Sequence, residues 1–129
     1  MNSDFRPISG RLWVVQLCEV VSRRIEQSVK DWPTKQKEGL GDQLIRATDS
    51  IGANISEGYA RVHIKERVLF FSWAQGSVEE ALYHLRRARD RQLIGILDAS
   101  IISELFFKLS KGIAKLAAAQ NVGIKGGEP

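Results

Sequence analysis

Cysteine and histidine are nearly absent, for the 129 residues hold one cysteine, Cys18, and two histidines, His63 and His84. A single thiol can neither close an internal disulfide nor furnish the thiolate set of a structural zinc site. No Glu-x-x-His occurs, which removes the paired signature of a di-iron bundle. A glycine-rich phosphate loop and a nucleophile elbow are missing as well. Without a catalytic constellation the protein is expected not to be an enzyme and to use no cofactor or metal. Long apolar runs are also lacking. Asp98 and Glu104 interrupt the only long one near the C-terminus, and the first residues carry no apolar signal core. A cytoplasmic protein without a membrane span is therefore expected. The alternation that marks strands is found nowhere.

What is present is helical. With 43% hydrophobic and 26% charged residues the chain has the makings of one ordinary core, and 129 residues suffice to bury it without staples. Nineteen Lys and Arg against fifteen Asp and Glu leave a net charge of +4, a mild lean toward anionic partners. The segment to about Gly10, with Pro7 and Ser9, reads as a loose arm. The first helix is expected from Leu12 to about Lys30, with a core stripe of Leu17, Val21, Ile25 and Val29 and with Val14 and Cys18 beside it. Cys18 has no histidine near it in sequence, so it reads as packing.

Trp32-Pro33-Thr34 should end that helix, with Thr34 capping the next, from about Lys35 to Tyr59. Leu40, Leu44, Ala47, Ile51 and Ile55 form its apolar stripe, and Gly52 is a candidate bend. A third helix, expected to be the longest, runs from about Ile64 to Gln92. Its core arc is Phe70, Phe71, Ala74, Val78, Ala81, Leu82, Leu85 and Ala88. Asp98 is a candidate cap for a fourth, from Ala99 to about Gln120, with Ile102, Leu105, Phe106, Leu109, Ile113 and Leu116 inward. Residues 121–129, rich in glycine, read as a flexible tail. Four helices on short connections, over residues 1–120, predict an all-α, antiparallel up-down-up-down four-helix bundle.

Polar residues interrupt this pattern in one place. Ser50, Asn54, Glu57 and Arg61, three or four residues apart in the stretch that includes Gly58, form a strip beside the core stripe. Partly buried groups there need hydrogen-bond partners. Two readings stand, a network that fixes helix register and a ligand cluster. On the third helix Leu69, Trp73, Gly76 and Tyr83 fall outside the core arc, where a monomer would show charge. That face is expected to lie between subunits. His84, four residues after Glu80, reads as a surface contact.

The bundle topology gathers cations at both ends. Arg61, His63, Lys65 and Arg67 join Arg6 and Arg11 at the end that holds both termini. Arg86, Arg87, Arg89 and Arg91 join Lys30, Lys35 and Lys37 at the other, where they also complement the dipole of the third helix. Either cluster is a candidate contact to nucleic-acid phosphates.

The Trp32-Pro33 turn, Gly39-Leu40, Gln43-Leu44-Ile45-Arg46-Ala47, the stretch from Ser50 to Gly58, and Ala74-Gln75-Gly76-Ser77-Val78-Glu79 together resemble the bacterial four-helix-bundle family. This is also known as the S23 or 23S rRNA intervening-sequence protein family. Val14-Val15-Gln16 stands where the family often has Val-Trp-Gln, and Gly52 stands where it usually has Pro. The resemblance implies a homo-oligomer, a pentameric ring. It also implies distant similarity to the accessory protein of diversity-generating retroelements, which binds nucleic acid. The expectation is an oligomer that binds structured RNA, rRNA among it, or DNA. The alternative is a scaffold for a protein client without nucleic acid.

Overall fold

The structure, a computed structural model, describes residues 10–127, with side chains over 13–120. The N-terminal arm to residue 9, Arg6 included, lies outside the described residues, as do the last two residues. Helix α1 is Gly10–Val29. Helix α2 covers 34–59 in three parts: a turn Thr34–Gln36, a π-helical stretch Lys37–Gly41 and a regular helix Asp42–Tyr59. Helix α3 is Ile64–Asp90 and α4 is Ile96–Gly127. Each helix packs on its sequence neighbour and α4 closes onto α1, which makes the expected antiparallel four-helix bundle. Among the described residues there is no strand.

The core is apolar and follows the helical period. Phe71, Phe106, Ile25, Leu44, Ile51, Ile55, Leu85 and Ile113 are each under 2% exposed. The apolar stripe read for α2 is buried throughout. On α1 the inward row is Val14, Cys18, Val21, Ile25 and Val29, and Leu17 is only half-buried at its edge. Both rows obey the helical spacing, and the partner helices decide between them. Phe70 and Leu105 are likewise half-buried flanks.

Helix ends depart from expectation in four places. Thr34 is the first helical residue, not the cap; Pro33 holds the cap position with no side-chain bond. Proline's fixed φ suits that entry. Helix α3 ends at Asp90, and Gln92 takes a left-handed φ of 60° while Leu93 donates its N–H to the Ala88 carbonyl at 2.9 Å. This six-residue closure satisfies orphan carbonyls. Helix α4 begins at Ile96, so Asp98 sits inside its first turn, 3.6 Å from Arg24. Helix α4 also continues past Gln120 to Gly127, where a tail was expected, and at 32 residues it is longer than α3 at 27. Adding residues to an existing helix needs no new nucleus, so glycine's penalty does not stop it.

The irregularity in α2 lies at its start and not at Gly52, which sits in regular helix. A Cβ on Gly41 would lie 2.7 Å from Val29 Cγ1 and 3.5 Å from Trp32 Cε3. The wide turn therefore brings bare backbone against the end of α1 and turns Leu40 into the core. Gly52 faces Cys18 at an ordinary 3.5 Å.

Candidate nucleic-acid interface

The polar strip on α2 divides. Ser50 Oγ lies 2.9 Å from Ser77 Oγ of α3, and Asn54 Nδ2 donates to Ser50 Oγ at 3.2 Å. Ser77 Oγ also donates to the Trp73 carbonyl at 3.2 Å. Ser50, Asn54 and Ser77 thus form a network across the α2–α3 contact, which supports the register reading. Glu57 and Arg61 are exposed and outside it. Gly58 serves the same contact by lacking a side chain. A Cβ there would lie 2.9 Å from Phe71 Cε1 and 3.0 Å from Phe70 Cβ. Ser77 enters the sequence reading only within the Ala74-to-Glu79 motif, although it stands three residues after Ala74 and four before Ala81, both in the core arc.

At the α2–α3 turn the cations differ in kind. Arg67 is half-buried and occupied, for Nε donates to the Arg61 carbonyl at 2.8 Å and a guanidinium N–H donates to Gln120 Oε1 at 3.3 Å. It ties the turn to α4. The Arg61 guanidinium lies 4.7 Å above the centre of the Phe70 ring, and Phe70 meets Trp73 edge-on at 4.7 Å. Arg61, His63 and Lys65 are exposed, and none has an ion-pair partner among the described residues. This end therefore keeps accessible positive charge.

At the opposite end several of the arginines are engaged. Asp90 accepts from Arg87 and from Arg89, both at 3.4 Å, and Arg91 donates to Gln36 Oε1 at 3.1 Å. Of the four arginines Arg86 alone is exposed without an ion pair or side-chain bond among the described residues, and Lys30 and Lys35 are exposed there as well. A hollow of about 420 Å³ at this end, lined by Arg89, Asp90 and residues 92–96, contains the Arg89–Asp90 pair. Spacing alone could have signalled this, because Asp90 follows Arg87 by three and Arg89 by one.

A groove of about 540 Å³ between α1 and α2 is rimmed by Glu19, Glu26 and Asp49 with Arg23. Its charge is wrong for phosphate. Ser22 Oγ donates across it to Asp49 at 3.2 Å. Cys18 lies at its base, 6% exposed, and burial, with Glu19 adding to it, pushes the thiol up from 9.0 to about 12. At pH 8 the thiolate fraction is thus roughly a thousandfold below that of a free thiol of ordinary pKa. We expect iodoacetamide to label Cys18 slowly in the folded protein and at the ordinary rate in urea. Equal rates would contradict this burial.

His84 is not the surface contact expected. It is 8% exposed, its Nε2 3.6 Å from the Glu80 carboxylate, and its Nδ1 is buried without a partner among the described residues. Among the described residues no three His, Cys, Asp or Glu side chains gather where a metal could be held. No described helix is long and apolar enough to cross a membrane.

The second face of α3 stands open. Leu69, Trp73 and Tyr83 are 46%, 48% and 54% exposed, and nothing lies within 4 Å of a Cβ placed on Gly76. On α4 the sequence pairs Lys108 with Glu104 four residues before it, but no such ion pair forms among the described residues, and Lys108, Lys111 and Lys115, three and four residues apart, share one exposed side.

The model of the 23S rRNA-intervening sequence protein family matches residues 11–115. No curated protein matches the chain significantly. Among solved structures, the chain is similar to a protein of unknown function from the S23 ribosomal protein family of Bacteroides thetaiotaomicron. The two share a TM-score of 0.78 at 21% identity, over 85% of this chain and 99% of that one. At that identity the likeness is one of fold.

Proposed function

Since the chain belongs to the 23S rRNA-intervening sequence protein family, we propose that it is a non-enzymatic, oligomeric protein that binds structured RNA or DNA through phosphates. The family's name associates it with 23S rRNA, which favours RNA. The observation that carries the reading is the exposed Arg61 and Lys65 at the α2–α3 turn, with His63 between them, none of the three in an ion pair among the described residues. At the other end Arg87 and Arg89 share Asp90 and Arg91 is held by the neutral Gln36, so those side chains are less free to meet a phosphate. No base-reading motif accompanies these cations, so little sequence preference is expected. In this reading the protein is cytoplasmic and assembles through the Leu69, Trp73, Gly76 and Tyr83 face, as a pentameric ring. Repetition of the basic turn around the ring multiplies a weak attraction.

The test is salt-dependent affinity. Each phosphate neutralised contributes about −0.9 to the slope of log affinity against log salt on duplex DNA, so Arg61→Glu with Lys65→Glu should flatten the slope by roughly 1.8. Affinity at low salt should fall on the order of 10- to 100-fold. Arg86→Glu should do much less. Arg67 is left intact, because its bonds hold the turn. The proposal is dropped if the unmutated protein fails to shift ribosomal RNA fragments or duplex DNA at low salt. A nuclease-insensitive protein client in pull-downs would then favour the scaffold alternative.

A further inference from the structure

Among the cations at the α2–α3 turn, Arg61 is restrained in a way that attraction to a phosphate does not require. Its N–H donates to the Gly58 carbonyl at 3.1 Å, its own carbonyl accepts from Arg67 Nε at 2.8 Å, and its guanidinium rests 4.7 Å above the centre of the Phe70 ring. That ring is half-buried and braced edge-on by Trp73 at 4.7 Å. An exposed arginine ordinarily samples many rotamers, so one held through both backbone and side chain has given up part of that freedom before any ligand arrives. Arg61 nevertheless stays exposed.

The surroundings suit more than a phosphate. Glu57 and Glu66 are exposed at the same turn as Arg61, Lys65 and Arg67, so the local excess of positive charge is small and a grip by charge alone is weak. Val62, beside Arg61, is 83% exposed, more than any other large hydrophobic side chain among the described residues. Phosphates offer nothing to that side chain or to a guanidinium plane backed by a ring. An unpaired base does, because its two faces are apolar and polarisable and stack on arginine planes as well as on aromatic rings. Within a duplex those faces are already stacked on neighbouring bases and out of reach.

We propose that the α2–α3 turn takes unpaired nucleotides, one base stacked on the Arg61 guanidinium and the flanking phosphate on Lys65. This rests on the proposed nucleic-acid binding and narrows its substrate class to the loops, bulges and single-stranded ends of a structured molecule. Phe70 is then a positioning residue, which backs the guanidinium on one side and leaves the other side for the base. Val62 covers the edge of the stacked base from water. Stacking tolerates every base, so the preference is for unpaired strands and not for a sequence.

The experiment follows the fluorescence anisotropy of a labelled single strand of about twelve nucleotides, and of the blunt duplex of that length, titrated with the full chain at low salt. The single strand should bind the tighter of the two although the duplex carries the denser charge. Arg61→Lys keeps the charge and removes the plane, whereas Phe70→Leu keeps the charge and an apolar side chain and removes the ring. Each should lower single-strand affinity on the order of 10-fold and leave duplex affinity within about twofold. Lys65→Gln should weaken both forms together, as loss of a phosphate contact does. Melting curves by circular dichroism check the fold of each variant, and Arg61→Lys changes an exposed side chain only. If the duplex binds as tightly as the single strand, or if Arg61→Lys weakens the two forms equally or neither, the stacking site is overturned and binding through phosphates alone stands. If neither form binds, the phosphate reading falls with it.

Discussion

Phe71→Ala is expected to lower the stability of the bundle by about 3–5 kcal/mol, the range for emptying a fully buried aromatic site. Phe71 is 0% exposed, and its ring centre lies 5.2 Å from that of Tyr59. Its edge also fills the space over Gly58. Both α2 and α3 thus lose contacts at once, and a rigid helix pair cannot collapse into the void. Phe70→Ala removes a ring of the same size one residue earlier. That ring is half-buried and touches Arg61 and Trp73 at the surface, so about 1 kcal/mol is expected. Urea denaturation of both variants measures the difference. Equal losses would mean that the rotation of α3 about its axis differs from the one described.

Gly58→Ala should also destabilise, by about 1–3 kcal/mol, although alanine is the better helix former by about 1 kcal/mol. The sign is decided by space. The new methyl would stand 2.9 Å from Phe71 Cε1, 3.2 Å from Phe71 Cδ1 and 3.0 Å from Phe70 Cβ. A ring can tilt, but a Cβ moves only with its backbone, so α2 and α3 must part. Their separation would also stretch the Ser50–Ser77 contact at 2.9 Å. Gly39→Ala is the control, because nothing lies within 4 Å of a Cβ placed there, and it should be neutral or stabilising. Should Gly58→Ala raise the melting temperature as Gly39→Ala does, the close approach of the two helices would be refuted.

The sequence by itself determined the class of fold and most of the core. The rows Leu40-Leu44-Ala47-Ile51-Ile55 and Phe71-Ala74-Val78-Ala81-Leu85 recur at the helical period, and a periodic apolar row can be satisfied only by burial. Chain order with short connections then left an antiparallel bundle. The basic residues of both ends were legible for the same reason, since topology sends each turn to a known end. Only tertiary structure decided which of them remain available. Arg67 is claimed by Gln120, fifty-three residues away, and Arg91 by Gln36, fifty-five residues away. Side-chain pairing over such separations leaves no local pattern. The rotation of each helix was undecided too, because a row and its neighbour share one spacing. Contact with the other helices turned Val14 and Cys18 inward and Leu17 aside, buried His84, and left Phe70 under Arg61. Gly58 and Gly41 looked like flaws in a helix until the opposing side chains were in place, because a missing Cβ acquires its reason from what stands across from it.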